Sequence, residues 1–118
     1  MLDTIVKTAS RLCAAEDVAI LLRDGGVLRV AAHDGTIVHS QLNAETPAER
    51  DFVGGRTVVD RQPIQVPDLT VAGEEFPRGR GIALRLGIRT SVGVPLLRED
   101  VAIGCLLLRR KVVQPFDE

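Results

Sequence analysis

RQPIQVPDLTVAGEEFPRGRGIALRLGIRTSVGVPLLREDVAIGCLLLRRKVVQPF, residues 61–116, reads in order as a short strand, a loop, a short helix and a long hairpin. Ile64 to Val66 is bounded by Pro63 and Pro67, and a proline has no N–H to give to a ladder, so this strand belongs at a sheet edge. Asp68 opens a loop. Pro77 to Leu86 predicts a short helix weakened by Gly79 and Gly81, with Gly87 placed to close it in a left-handed cap. Thr90 to Leu97 and Val101 to Arg109 predict two long strands around Arg98-Glu99-Asp100. Their nearly continuous apolar character calls for central positions covered on both sides, so helices should flank both faces of the sheet.

Upstream, Leu2, Ile5, Val6, Ala9, Leu12 and Cys13 recur at helical spacing and predict a first helix ending near Ala15. From Asp17 the apolar residues alternate, then Asp24-Gly25-Gly26 separates them from Val27 to Ala32, the pattern of a β-hairpin. Residues 33–49 carry the weakest signal, with Thr36-Ile37-Val38 as a short strand and Pro47 as the first helical residue of a segment running towards Gly54. Arg56 to Arg61 reads as a helical turn. Pro115-Phe116-Asp117-Glu118 reads as the entrance to a helix, its acids suited to the positive end of the helix dipole. That pattern predicts a domain belonging to a longer protein, with a following helix beside the first.

The 118 residues suffice for one domain, 1–118, around one core. No run approaches the roughly 20 apolar residues that span a bilayer, and MLDTIVK lacks the grammar of a secretory signal, so the expectation is a cytoplasmic domain without membrane insertion. Fifteen basic against sixteen acidic residues leave a net charge of -1, and three Phe with no Tyr or Trp supply few stacking platforms. Nucleic acid is therefore not an expected partner, and Arg109-Arg110-Lys111 reads as a solvated strand end. Cys13 and Cys105 both fall in apolar patterns and read as buried, reduced thiols. His33 and His39 are isolated, and neither a metal-ligand spacing nor a nucleophile motif appears, so no catalytic residue and no metal site are assigned.

Pro63, Val66, Asp68, Gly87, Arg89, Thr90, Pro95, Ile103, Gly104 and Phe116 fall in the order and spacing of a GAF domain, which the chain resembles over nearly its whole length. The resemblance implies an α+β fold, PAS-related, with a central antiparallel sheet of order 2-1-5-4-3 and helices on both faces. It implies a ligand pocket on one sheet face, roofed by the middle loops and short helices. Residues expected there are Phe52, Ile64, Val66, Asp68, Phe76, Arg80, Ile82, Arg85, Leu86, Thr90, Val92 and Val94. Asp68 reads first as a turn or helix-capping acceptor and second as a ligand contact. Pro77-Arg78-Gly79-Arg80-Gly81, with Arg85 and Arg89 close behind, offers free N–H groups and guanidinium forks to a phosphate or carboxylate, or else forms a solvated loop paired with Glu74 or Glu75.

As a GAF-like domain the chain is expected to be a non-catalytic sensory module of a signalling protein, binding an unidentified small molecule and informing an output domain. The alternative is an interaction module with a collapsed pocket, working as a homodimer through Leu2, Ile5, Val6, Ala9 and Leu12. The dispersed signature of cyclic-nucleotide-binding members is absent. No covalent bilin and no haem are expected, because both cysteines lie in core-like patterns and neither histidine is placed as an axial ligand. The two-cysteine chemistry of the GAF-fold methionine sulfoxide reductases would need an exposed thiolate in an electropositive pocket, which neither cysteine's pattern suggests.

Overall fold

The final hairpin and the first hairpin meet side by side to make the middle of one antiparallel sheet. The computed structural model describes residues 2–35 and 44–116, with side chains from Thr4 onward. Its strands are β1 (Asp17–Asp24), β2 (Val27–Gly35), β3 (Glu45–Pro47), β4 (Ile64–Val66), β5 (Thr90–Arg98) and β6 (Val101–Arg110), and its helices are α1 (Leu2–Cys13), α2 (Val53–Asp60) and α3 (Pro77–Leu86). The sheet order is β3-β2-β1-β6-β5-β4. This is the order 2-1-5-4-3 predicted from the resemblance with one short strand added at the β2 edge. Thr36-Ile37-Val38, His39, Asp117 and Glu118 lie outside the described residues.

Strand alternation sorts the core into two layers. Val18 and Ile20 of β1 point with Ala32 and Leu108 towards α1, where Val6 is completely buried among them. Ala19 and Leu21 point the other way, into a larger cluster with Leu28, Val53, Val58, Phe76, Ala83, Ile88, Cys105 and Leu107 beneath α2 and α3. Helices therefore cover both faces. On the α1 side the cover is partial, because α1 lies over β1 and β2.

Local chemistry sets the element ends. Ala14 takes a left-handed conformation (φ 51°) and the Ala15 N–H returns 3.2 Å to the Ser10 carbonyl, the 6→1 bond that closes a helix in a Schellman motif. Gly87 (φ 78°) closes α3 as expected, its N–H reaching the Ala83 carbonyl at 2.8 Å. Glu99 and Asp100 both have positive φ, which matches the twist a tight hairpin turn needs between β5 and β6. Asp68 caps the 3₁₀ turn Leu69–Val71, its Oδ1 accepting from the Thr70 N–H at 3.0 Å.

One expected element is different. Pro47 does not begin a helix; it ends β3, paired with Val27 at the sheet edge, where its missing N–H costs no interior ladder bond. The helix starts at Val53, behind Phe52, whose side chain makes no capping bond, and runs to Asp60 before Arg61 turns left-handed (φ 55°). The predicted turn 56–61 is thus the second half of α2 and its cap.

Candidate functional site

Between the sheet and the α2, α3 layer lies a cavity of about 50 Å³. At roughly 10–15 Å³ per water-sized site, it has room for three or four small heavy groups. Leu21, Val30 and Leu107 form its sheet wall; Val53 and Gly54 of α2, Leu69, and Ile82 of α3 close it from above. Thr46 of β3 reaches it from the side. Its remaining polar walls are Ser91 and Arg109, which face each other as a cross-strand pair of β5 and β6.

Arg109 is only 6 % exposed, and its position has a specific electrostatic cause. Asp17, fully buried, sits opposite it across the β1–β6 ladder and accepts from its Nη2 at 2.5 Å through Oδ1. The other oxygen, Oδ2, lies 2.6 Å from Nε2 of His33 on β2. A carboxylate taken wholly out of water must recover several kcal/mol of lost hydration, and these contacts from two neighbouring strands supply the compensation. The result is a guanidinium fixed in a mostly apolar wall, the arrangement that orients a small polar ligand.

The sequence reading placed Arg109 and Arg110 at a solvated strand end; both are buried, because β6 remains fully paired through Arg110. Strand alternation contains the missing signal, since Cys105, Leu107 and Arg109 share one face. The same rule corrects Val92 and Val94. They face the α1 side with Leu108, while Ser91 and Gly93 face α2. A Cβ on Gly93 would come 2.2 Å from Thr57 Oγ1, so α2 sits directly on the sheet there.

Of the other residues read as pocket-lining, Phe52 and Ile82 line the cavity. Ile64, Val66, Phe76 and Leu86 pack into the surrounding cluster without lining it. Thr90 donates its hydroxyl to the Pro67 carbonyl at 2.6 Å. Arg80 and Arg85 are exposed, and Arg80 donates to the Thr70 carbonyl at 2.9 Å rather than reaching the cavity. Arg78 pairs with Asp51 at 3.0 Å, and Glu75 pairs with Arg56 rather than with the α3 arginines. Asp68 receives both arms of Arg89, at 3.0 and 2.8 Å, and that guanidinium, with Thr70, holds its carboxyl well below the usual range. Its contacts are those of a clamp between the 3₁₀ turn and the start of β5.

On the opposite face an open groove of about 830 Å³ runs between the end of α1, Pro63 to Gln65, Val92, Val94 and the segment 114–116. Arg110 occupies its floor. The dimer stripe expected on α1 is divided: Val6 belongs to the domain's own core, Ala9 is half-buried, and Ile5 and Leu12 are exposed at 44 and 81 %. The Leu2 side chain lies outside the described residues. Cys13, expected inside, is exposed, because the helix ends with it on the groove side. Cys105 is fully buried, and burial pushes its thiol up to about 12. The two cysteines therefore border opposite faces of the sheet. Among the described residues no group of three His, Cys, Asp or Glu side chains is placed to hold a metal ion, and no helix is long and apolar enough to cross a membrane.

Comparison with known proteins gives a match to the family model described as GAF domain over residues 1–118. No curated protein sequence matches the chain. Among solved structures, the GAF domain region of a protein from Geobacter sulfurreducens PCA superposes with a TM-score of 0.80 at 21% identity, covering 99% of this chain and 78% of that one. The GAF domain of a phosphoenolpyruvate-protein phosphotransferase from Acinetobacter gives a TM-score of 0.80 at 18% identity, covering 99% and 68%. A free methionine-R-sulfoxide reductase from Neisseria meningitidis, solved with its substrate, gives 0.79 at 20% identity, covering 98% and 64%. At these identities the likeness is one of fold.

Proposed function

The chain belongs to the GAF domain family, and from that premise we propose that it is a non-catalytic sensor that binds a small molecule over its sheet and passes its state to an output domain. The cavity bounded by Arg109, Ser91 and Thr46 carries this reading. Its walls are mostly apolar and its polar groups are few and fixed, which is how small-molecule sites achieve orientation. A volume of about 50 Å³ selects a ligand of a few heavy atoms with one hydrogen-bond-accepting or anionic end. The domain works in the cytoplasm as one part of a longer signalling protein.

The reductase with its bound substrate is a GAF-fold neighbour that performs chemistry. Two features favour a non-catalytic role here. Cys105 is sealed beneath α2 with its thiol pushed up to about 12, and Cys13 stands across the sheet from the cavity. A thiolate nucleophile and a resolving thiol need a shared, accessible pocket. A second reading, dimerisation without a ligand, draws support from Ile5 and Leu12, exposed seven residues apart on one side of α1.

Thermal unfolding against inorganic anions and small carboxylates, with amino acids, methionine sulfoxide, nucleotides and cyclic nucleotides as compounds larger than the cavity, tests the proposal. A ligand at a hundred times its Kd adds about 2.7 kcal/mol, a rise on the order of 10 °C for a domain of this size. Ser91→Leu, which fills the cavity, should abolish the rise, and Arg80→Ala should leave it. No response to any compound, with association that depends on protein concentration, would favour the dimerisation reading.

A further inference from the structure

Arg109 and Arg110 are consecutive in β6, so their side chains leave the sheet on opposite faces. Both are buried, at 6 and 8 % exposure. Arg109 walls the cavity and pairs with Asp17. Arg110 gathers the two ends of the described chain. Its Nη2 donates to the Cys13 carbonyl at 2.8 Å and its Nε to the Ala14 carbonyl at 3.2 Å, satisfying acceptors left over at the C-terminus of α1. Its Nη1 donates to the carbonyls of Gln114 and Pro115 at 2.7 and 3.2 Å, and the Phe116 ring lies 3.8 Å from its guanidinium carbon.

The surrounding backbone leaves this arrangement little slack. The Arg109 carbonyl accepts from the Glu16 N–H at 3.1 Å, just where α1 hands over to β1. The Gln114 N–H donates to Thr90 Oγ1 at 3.0 Å, and the Phe116 N–H to Gln65 Oε1 at 2.7 Å. A densely packed interior passes on small displacements instead of absorbing them.

We propose that the Arg109-Arg110 pair couples the cavity to the chain ends. A movement of Arg109 as the cavity fills turns the end of β6, and Arg110 carries the turn to the C-terminus of α1 and to residues 114–116. The natural trigger rests on the cavity reading above; the mechanical link is testable without any ligand.

Amide hydrogen exchange at Ala15, Glu16, Gln114 and Phe116 reads the ends, with Ala83 in α3 as an internal reference. Arg109→Lys and Asp17→Asn, both on the cavity side, should speed exchange at these four amides by about tenfold beyond any change at Ala83, which reports global stability, as Arg110→Lys should. The double variant Arg109→Lys, Arg110→Lys should exceed neither single variant, because both cut the same link. Ser91→Leu fills the cavity beside Arg109 while keeping both charges of the ion pair and should act in the same direction, which keeps the test available where a charge variant does not fold. End amides at wild-type rates in the cavity-side variants, or multiplicative effects in the double variant, would overturn the coupling. A compound that raises the unfolding midpoint should shift exchange at these amides in the wild type and not in Arg110→Lys. Binding with silent ends would sink the coupling and leave the binding reading intact; if no compound binds, the ligand-free variants still decide.

Discussion

The two faces of the sheet are built from the same strands and differ in how they are finished. On one, α2, α3 and the 3₁₀ turn close over an apolar cluster and leave a cavity of about 50 Å³ with a paired guanidinium in its wall. On the other, α1 covers β1 and β2, and the remaining strands stand in an open groove crossed by residues 114–116. The first face is finished by its own chain and suits enclosing something small. The second presents Leu12, Ile5 and half-buried Val92 and Val94, and suits contact with another segment or another molecule. On the proposed reading, sensing and transmission separate by face, with β6 shared between them.

The largest expected difference between the faces is chemical accessibility. Cys13 on the open side should react with a thiol reagent at the rate of a free cysteine, whereas Cys105 must wait for an opening. Native proteins populate globally unfolded states at about 10⁻³ to 10⁻⁶, so the two rates should differ by roughly a thousandfold or more. Mass spectrometry of peptides labelled over time measures the ratio, and comparable rates would mean that the closed face opens readily. Raising the pH should narrow the gap through stability: a thiol raised to about 12 in the fold stabilises it below the ordinary 9.0 and loses that contribution as pH climbs from 9.0 towards 12.

Next comes the buried charge pair. Asp17→Ala removes the partner of Arg109 and leaves a cation at the cavity wall without its carboxylate, so unfolding in denaturant should show a loss of about 3–5 kcal/mol. A loss below 1 kcal/mol would mean that water already reaches Arg109, and the contrast between a sealed and an open face would fail. The Asp68–Arg89 clamp is more exposed, and its effect should be smaller and pH-dependent. Because the folded carboxyl is held below its ordinary 3.8, its contribution is present above that value and disappears as pH falls through the folded range. Asp68→Asn should therefore lower the thermal midpoint by a few degrees at pH 7, with the difference from wild type shrinking below pH 4.

Legibility in the sequence follows the same division of labour. Continuous apolar strands, Gly25-Gly26, the proline-bounded Ile64 to Val66 and Gly87 announce themselves through backbone chemistry, and the fold was readable from them. Arg109 was not, because a charged residue at a strand end is ordinarily solvated, and its burial depends on Asp17 and His33, which join it only through pairing across three strands. Pro47 misled for the opposite reason: proline suits both a helix start and a sheet edge, and only the pairing with Val27 decides between them. Hydrophobicity points Val92 and Val94 to the pocket, yet strand alternation gives that side to Ser91 and Gly93, and at Gly93 α2 sits too close to the sheet for any side chain.

The smallest expected effect is on the open face, at Leu12. At 81 % exposure its side chain contributes little to the fold, so Leu12→Ser should change the stability of the monomer by about 0.5 kcal/mol or less. Association is where the substitution separates the two readings of that face. If α1 pairs with another copy along Ile5 and Leu12, replacing a buried leucine by serine in each of two helices should weaken the dimer by on the order of tenfold to a hundredfold, while unfolding of the dilute protein stays unchanged. Sedimentation of wild type and variant across a range of concentrations measures this directly. Equal behaviour of the two proteins would show that the stripe pairs no second copy and would leave the groove and residues 114–116 as the route by which the cavity's state leaves the domain.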